Sequence, residues 1–280
     1  MTFGLGTLLG DLRVGDTIEY SYSLNGQNPV FGGKFFAAAV WDQGYPTTLR
    51  SVILSYPVAR KINWRFIGRS PSKLLAAAES TRDGMHTLRF AEESIPQVTV
   101  EPLHPLDYGP LRELQFSEFS RWDEVVNWAS EVFKVPTKID DNVRQVVEKI
   151  RERPGTEERV VAALEFVQSE IRYFSVALGE SSHRPYPPSL VLQRRYGDCK
   201  DKSFLLMTLL TELGVRSDAV LLKVGQHKGI DELRPSPQVF NHAIVRAYVN
   251  GKIYYLDPTR LGSTAASTAW VRRMKTHRCW

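Results

Sequence analysis

Cysteine is nearly missing. Only Cys199 and Cys279 occur in 280 residues, too few for a disulfide framework, and the redox compartment is left open. Long apolar runs are missing as well. None approaches the roughly 18 residues a membrane span needs, and no N-terminal stretch joins a charged flank, an apolar run and a small-residue cleavage site. The six histidines and two cysteines fall into no CxxC, HxxxH or other short chelating spacing. No repeat or low-complexity tract occurs. Charge of neither sign dominates: 36 Lys and Arg against 31 Asp and Glu give a formal +5. The one modest basic cluster, Arg272, Arg273, Lys275 and Arg278, has no nucleic-acid-binding motif beside it, so no nucleic-acid partner is expected. Localisation stays undetermined.

What is present is ordinary globular composition, 42% hydrophobic and 24% charged, ample for one large or two medium domains. Residues 1–105 read as β-rich. In DTIEYSYSLNG, Ile18, Tyr20, Tyr22 and Leu24 alternate with Thr17, Glu19, Ser21 and Ser23, the period of a half-buried strand. Asn25-Gly26 then marks a turn. Further strands are expected at 35–41, 49–58, 63–68, 85–90 and 96–102. Short strands punctuated by Gly and Pro point to a sandwich-like domain, and the proline-rich EPLHPLDYGP (101–110) closes it.

A helical connector is expected over 106–155. Ser120 and Asp123 have the spacing of a capping box, ahead of a stripe formed by Trp122, Val125, Val126, Ala129, Val132 and Phe133. A second helix is expected over about 140–152, and Thr156 can cap a third through Ile171. The fourth begins at RRYGDCKDKSFLL (194–206). Asp198 is its expected N-cap, Asp201 stands three residues on, Leu205, Leu206, Leu209, Leu210 and Leu213 form the buried stripe, and Gly214 is the stop. A strand over 218–224, an irregular stretch over 225–238, and two strands joined by Asn250-Gly251 follow. Helices followed by strands make an α+β pattern.

Cys199 thus falls in the first turn of a helix, where the N-terminal dipole and neighbouring cations favour a thiolate. Lys200 and Lys202 lie beside it, but Asp198 and Asp201 oppose them, so a base is needed. The hairpin offers one. With Asn250-Gly251 as a two-residue turn, Asp257 faces Ile244, and His242 lies two residues earlier on the same face, within diagonal side-chain reach. Register therefore brings a carboxylate to an imidazole. It does not bring either to Cys199.

At this point a resemblance enters. IRYFSVALGESSHRPYPPSLVLQRRYGDCKDKSFLLMTLLTELGV resembles the core of the transglutaminase-like superfamily, and FNHAIVRAYVNGKIYYLDPT resembles that core's His and Asp hairpin. The segment from GDTIEYSY to SRWDEVVNWASEVF is similar to an uncharacterised β-rich domain found before this core in bacterial proteins. The resemblance implies a papain-like transglutaminase-type domain over 156–265, a C-terminal segment over 266–280, and an incomplete sandwich-like domain at the N-terminus, as in a piece of a longer protein. It implies Cys199 as a nucleophile forming a thioester, His242 as general base and acid, and Asp257 as the orienting acid. The oxyanion would be met by the Cys199 N–H and a second donor, with Gln193, Tyr196 and Tyr173 as candidates. His183, Tyr186 and Asn241 are candidate cleft-lining residues. No Trp lies between Trp128 and Trp270, so the indole that many animal transglutaminases place before their cysteine is lacking, and their acceptor chemistry is not inherited.

The implied reaction is acyl transfer from an amide of a protein or peptide, without metal or organic cofactor. Hydrolysis is favoured over crosslinking because water needs no second binding site. Two readings compete. In one, the triad is inherited but the chain only binds peptides. In the other, Cys199, His242 and Asp257 join His183 or His227 around zinc. For the remaining histidines (His86, His104 and His277) and for Cys279, no function is expected.

Overall fold

Residues 10–68, 75–101, 111–175, 178–225 and 229–260 are described by a computed structural model of the chain. Their N-terminal half is built from two three-stranded antiparallel sheets. One has the order β1 (Phe36–Val40), β6 (Glu113–Ser117), β3 (Asn63–Ile67); the other has β2 (Thr47–Pro57), β5 (Met85–Ile95), β4 (Ala78–Arg82). The apolar faces meet through aromatics, which bury much area at little entropic cost. Phe90 of the second sheet lies edge-on to Trp64, Phe66 and Phe116 of the first, with centroids 4.8, 5.8 and 5.8 Å apart. Trp41, Leu88, Ile95 and Leu114 complete this core. Under it lies a buried ion pair. Arg112 Nη2 is 2.7 Å from Asp42 Oδ1 and 2.9 Å from Glu92, whose side chain also accepts from Trp41 Nε1 at 2.6 Å.

The sheets correct three expectations. The alternating segment 17–24 joins no strand ladder among the described residues, and Ile18, Tyr20, Tyr22 and Leu24 stand exposed. Alternation specifies a strand only where a neighbouring edge accepts its backbone. Residues 96–101 are likewise outside the ladders, because Pro96 follows Ile95 without an N–H to donate. Conversely, β6 falls in the stretch read as a helical connector and is the central strand of its sheet. Its polar positions are covered too: Gln115 accepts from Arg234 N–H at 2.8 Å, and Ser117 donates to the Pro235 carbonyl at 2.6 Å. A strand covered on both faces loses its period-two signature.

The second half follows the α+β reading. Helices α1 (Trp122–Val132), α2 (Asp141–Arg151) and α3 (Thr156–Glu170) lead to a two-residue strand β7 (Arg172–Tyr173). Helix α4 (Pro188–Arg194), strand β8 (Tyr196–Gly197) and helix α5 (Cys199–Glu212) come next. Strands β9 (Ser217–Leu222), β10 (His242–Val249) and β11 (Lys252–Leu256) form an antiparallel sheet with β10 in the middle. The α1 cap is Arg121 rather than Ser120, and the α3 cap is Gly155, with Thr156 opening the helix. Helix α4 is absent from the sequence reading; its Pro187-Pro188 start suits a first helical turn, but seven residues carry little periodicity.

Helix α5 is the axis of this half. The expected leucine stripe is there, yet every residue from Lys200 to Leu210 is buried. A helix covered all round sits inside the core, here between α2, α3, α4 and the β9–β10 face. Its polar first turn is therefore buried with it.

The buried Arg112–Asp42 pair gives a prediction. Arg112→Ala leaves Asp42 charged, buried and unpaired, and should lower the unfolding free energy by about 3–5 kcal/mol in urea titrations.

Candidate active site

Strand β8 and the first turn of α5 set the cysteine. Asp198 caps α5, its carboxylate accepting from the Lys200 and Asp201 N–H groups, while Asp201 accepts from the Asp198 N–H at 3.2 Å. The expected N-cap is thus part of a full capping box. It leans on Gly197, where an added Cβ would lie 2.7 Å from the Asp201 Cβ. Asp198 also pairs with the Lys200 ammonium, and Asp201 accepts from the Tyr186 N–H at 2.8 Å. Burial, and then the Asp198 charge, push the Asp201 carboxyl above its ordinary value. Cys199, the first residue of α5, is half-buried and carries a free thiol.

The hairpin sets the base. Val249 faces Lys252 and Val245 faces Leu256, the register that a two-residue Asn250-Gly251 turn requires. His242 Nε2 lies 3.1 Å from Asp257 Oδ2. Asp257 is fixed on its other side: Oδ1 accepts from the Thr259 N–H at 3.0 Å and from its hydroxyl at 2.6 Å, and the Asp257 carbonyl accepts from Gln168 Nε2 at 2.9 Å.

What register alone left open was the approach of the cysteine, and one buried bond supplies it. Ser203 stands one turn after Cys199 and donates to the Ala243 carbonyl at 2.9 Å, one residue past His242. The α5 N-terminus is thereby held at the start of β10. The His242 imidazole is pushed up from 6.5 to about 9, first by its bond to Asp257, then by a hydrogen bond with Cys199, against burial. For Asp257, burial alone would raise the carboxyl, but the bonds from His242 and Thr259 hold it at about 2. Tyr173, on β7 opposite Gly197, completes the cluster. Burial, and then the negative charge of Cys199, Asp198 and Asp257, hold its phenol above the usual range, with a hydrogen bond to Cys199 adding to the shift.

The other candidates are held by contacts of their own. Asn241 pins the end of β9 to β10, accepting from the Val224 N–H at 2.7 Å and donating to its carbonyl at 3.1 Å. His183 packs edge-on to Phe31 and Trp128 and meets Ser182 through Nδ1 at 2.8 Å; burial, and then the Lys200 charge, lower it to about 4, keeping it neutral. Tyr186 and Tyr196 flank the Arg194 guanidinium, 3.9 and 4.9 Å from their ring centroids. Gln193 is on an exposed face of α4. Among those residues no group of three or more His, Cys, Asp or Glu side chains is placed to hold a metal ion; His227, His104, His277 and Cys279 lie outside them.

Sequence reasoning missed Ser203, Gln168 and Thr259, and read Lys202 only as a neighbouring cation. Only Thr259 had a local signal, since Asp-Pro-Thr is suited to a side-chain-to-backbone turn.

This architecture has counterparts. A proposed protease from Parabacteroides distasonis superposes with a TM-score of 0.67 at 17% identity, over 80% of this chain and 43% of that one. That likeness shows a shared fold. This chain spans less than half the length of the Parabacteroides protein. Weaker matches are a proposed cysteine protease from Cytophaga hutchinsonii (TM-score 0.36, 14% identity, 81% of this chain and 76% of that one) and the periplasmic domain of TgpA from Pseudomonas aeruginosa (0.33, 15%, 78% and 71%). Residues 7–99 match DUF3857, a domain of unknown function with a solved structure. No curated protein matches the chain. Among the described residues no helix is long and apolar enough to cross a membrane.

The His242–Asp257 pair predicts a pH dependence of stability. His242 is raised from 6.5 to about 9, so its contribution is complete below pH 6.5 and lost as pH climbs through about 9. Asp257 is lowered from 3.8 to about 2, so its contribution is complete above pH 3.8 and lost as pH falls through about 2. The pair therefore stabilises fully between about pH 4 and 6.5. Melting temperatures of the parent and His242→Ala should differ most in that window and converge towards pH 9.

Proposed function

We propose that the chain carries a cysteine-dependent amide acyl transferase or hydrolase centre, with Cys199 as nucleophile, His242 as base and acid, and Asp257 as orienting acid. The observation that supports this best is the His242 imidazole, bonded through Nε2 to Asp257 at 3.1 Å and interacting with the Cys199 thiol. With Nε2 committed to the carboxylate, Nδ1 is the nitrogen left for the sulfur's proton. An imidazole whose charged form is so favoured holds the thiol's proton at neutral pH and leaves the sulfur as a thiolate beside it, and Asp257 steadies the cation.

The steps balance without a co-reactant beyond water or an amine. The sulfur attacks the carbonyl carbon of an amide and the C–O double bond opens to an oxyanion. The oxyanion collapses, the C–N bond breaks, and the proton on His242 leaves with the amine. A thioester remains. His242 then takes a proton from water, or from an acceptor amine, which attacks the same carbon. Sulfur departs and recovers the proton, and an acid or a new amide is released. Peptide and isopeptide bonds are the substrate class that suits this chemistry, and water is the simpler acceptor.

Two donors are available for the oxyanion. The Cys199 N–H opens α5 ahead of the amides taken by Asp198, and no acceptor holds it among the described residues. The Tyr173 hydroxyl is the second. Its raised pKa keeps the proton in place through the neutral range, which a donor requires.

Labelling with iodoacetamide, resolved by peptide mass, tests the centre without a known substrate. Cys199 should react well above the rate of an ordinary thiol at neutral pH, and His242→Ala should slow it by about 10²-fold. A Cys199 that reacts no faster than Cys279 would contradict the assignment. With a fluorogenic amide, Cys199→Ala should abolish turnover, and Tyr173→Phe should lower kcat by about 10²-fold with little change in KM.

A further inference from the structure

Lys202 is a charged group of the first α5 turn that the proposed reaction leaves without a task. It is 1% exposed. Its Nζ donates to the Ile171 carbonyl at 2.5 Å, the one acceptor it has among the described residues. An ammonium carries three protons, so a single carbonyl leaves it poorly satisfied in a buried place. Burial lowers it to about 8, and the Asp257 charge is what opposes that fall. Seating a lysine there is unfavourable for stability alone, because an apolar side chain of similar length avoids the desolvation.

The position of the bond suggests what Lys202 does. Ile171 closes α3, whose last carbonyls are unsatisfied and carry the negative end of the helix dipole. Two residues on stands Tyr173, paired with Gly197 and beside the sulfur. The same helix end holds the acid, through Gln168 and the Asp257 carbonyl at 2.9 Å. Lys202 follows Cys199 by three residues on α5, so its side chain ties the nucleophile's helix to the segment that carries Tyr173. The titratable groups that share its surroundings are Asp257 after β11, His242 on β10, Tyr173 on β7, and Asp198 and Cys199 at the α5 start.

We infer that Lys202 is a positioning residue of the Cys199 centre: its ammonium, clamped to the Ile171 carbonyl within the field of Asp257, holds the Tyr173 strand in place against the sulfur. The inference rests on the thiol-activation reading above.

The test is the rate of Cys199 alkylation by iodoacetamide between pH 5 and 9, on the full chain, for the parent, His242→Ala, Lys202→Met and Lys202→Gln, with melting temperatures alongside. Lys202→Met should melt no lower than the parent, yet alkylate about tenfold more slowly at neutral pH, with its profile displaced by about one pH unit, the equivalent of that factor. Lys202→Gln, which keeps an amide donor but no charge, should recover part of the rate. If Lys202→Met does not fold, Lys202→Gln carries the comparison. Failure of both to fold would make Lys202 a stability residue and overturn the inference. A slow His242→Ala beside a Lys202→Met identical to the parent in rate and profile would overturn it alone. A His242→Ala as fast as the parent would remove the thiol-activation reading, and this inference with it.

Discussion

The site depends on one constraint: α5 is buried on every side, so the polar groups of its first turn must find partners inside the protein. Three of them find one on a different element. Asp201 takes the Tyr186 amide ahead of α4, Lys202 takes the carbonyl that ends α3, and Ser203 takes a carbonyl on β10. Unpaired buried polar groups are expensive, so these bonds act as locks. Together they fix the direction and rotation of the helix, and with it the direction in which Cys199 points.

Charge is arranged around the same turn in layers. Asp198 and Lys200 neutralise each other at the helix start. His242 and Asp257 form a second pair on the sheet side, each shifted towards its ionised form. His183, by contrast, stays neutral between aromatic rings. The imidazole with a carboxylate partner is thus distinguished from the one without, and only the first carries its proton at neutral pH.

Much of this arrangement was legible in the sequence where local rules decide it. The α5 cap was readable because Asp198 and Asp201 act within three residues, and the His242–Asp257 contact followed from a two-residue turn and the period of a strand. Where tertiary contacts decide, the sequence was silent or misleading. Strand β6 hid because the 229–240 segment covers its polar positions. Helix α4 was too short to show a period. The segment 17–24 alternates well but meets no edge. The approach of Cys199 to His242 rests on Ser203, and nothing in a serine's neighbours announces a bond to a residue forty positions away.

That unmatched segment has a practical consequence. Six apolar side chains between Leu12 and Leu24 face solvent, on backbone whose N–H and C=O groups enter no ladder among the described residues. Such a ribbon is adhesive towards any bare sheet edge it meets. Lysine or proline set into the ribbon is the direct way to blunt that adhesiveness.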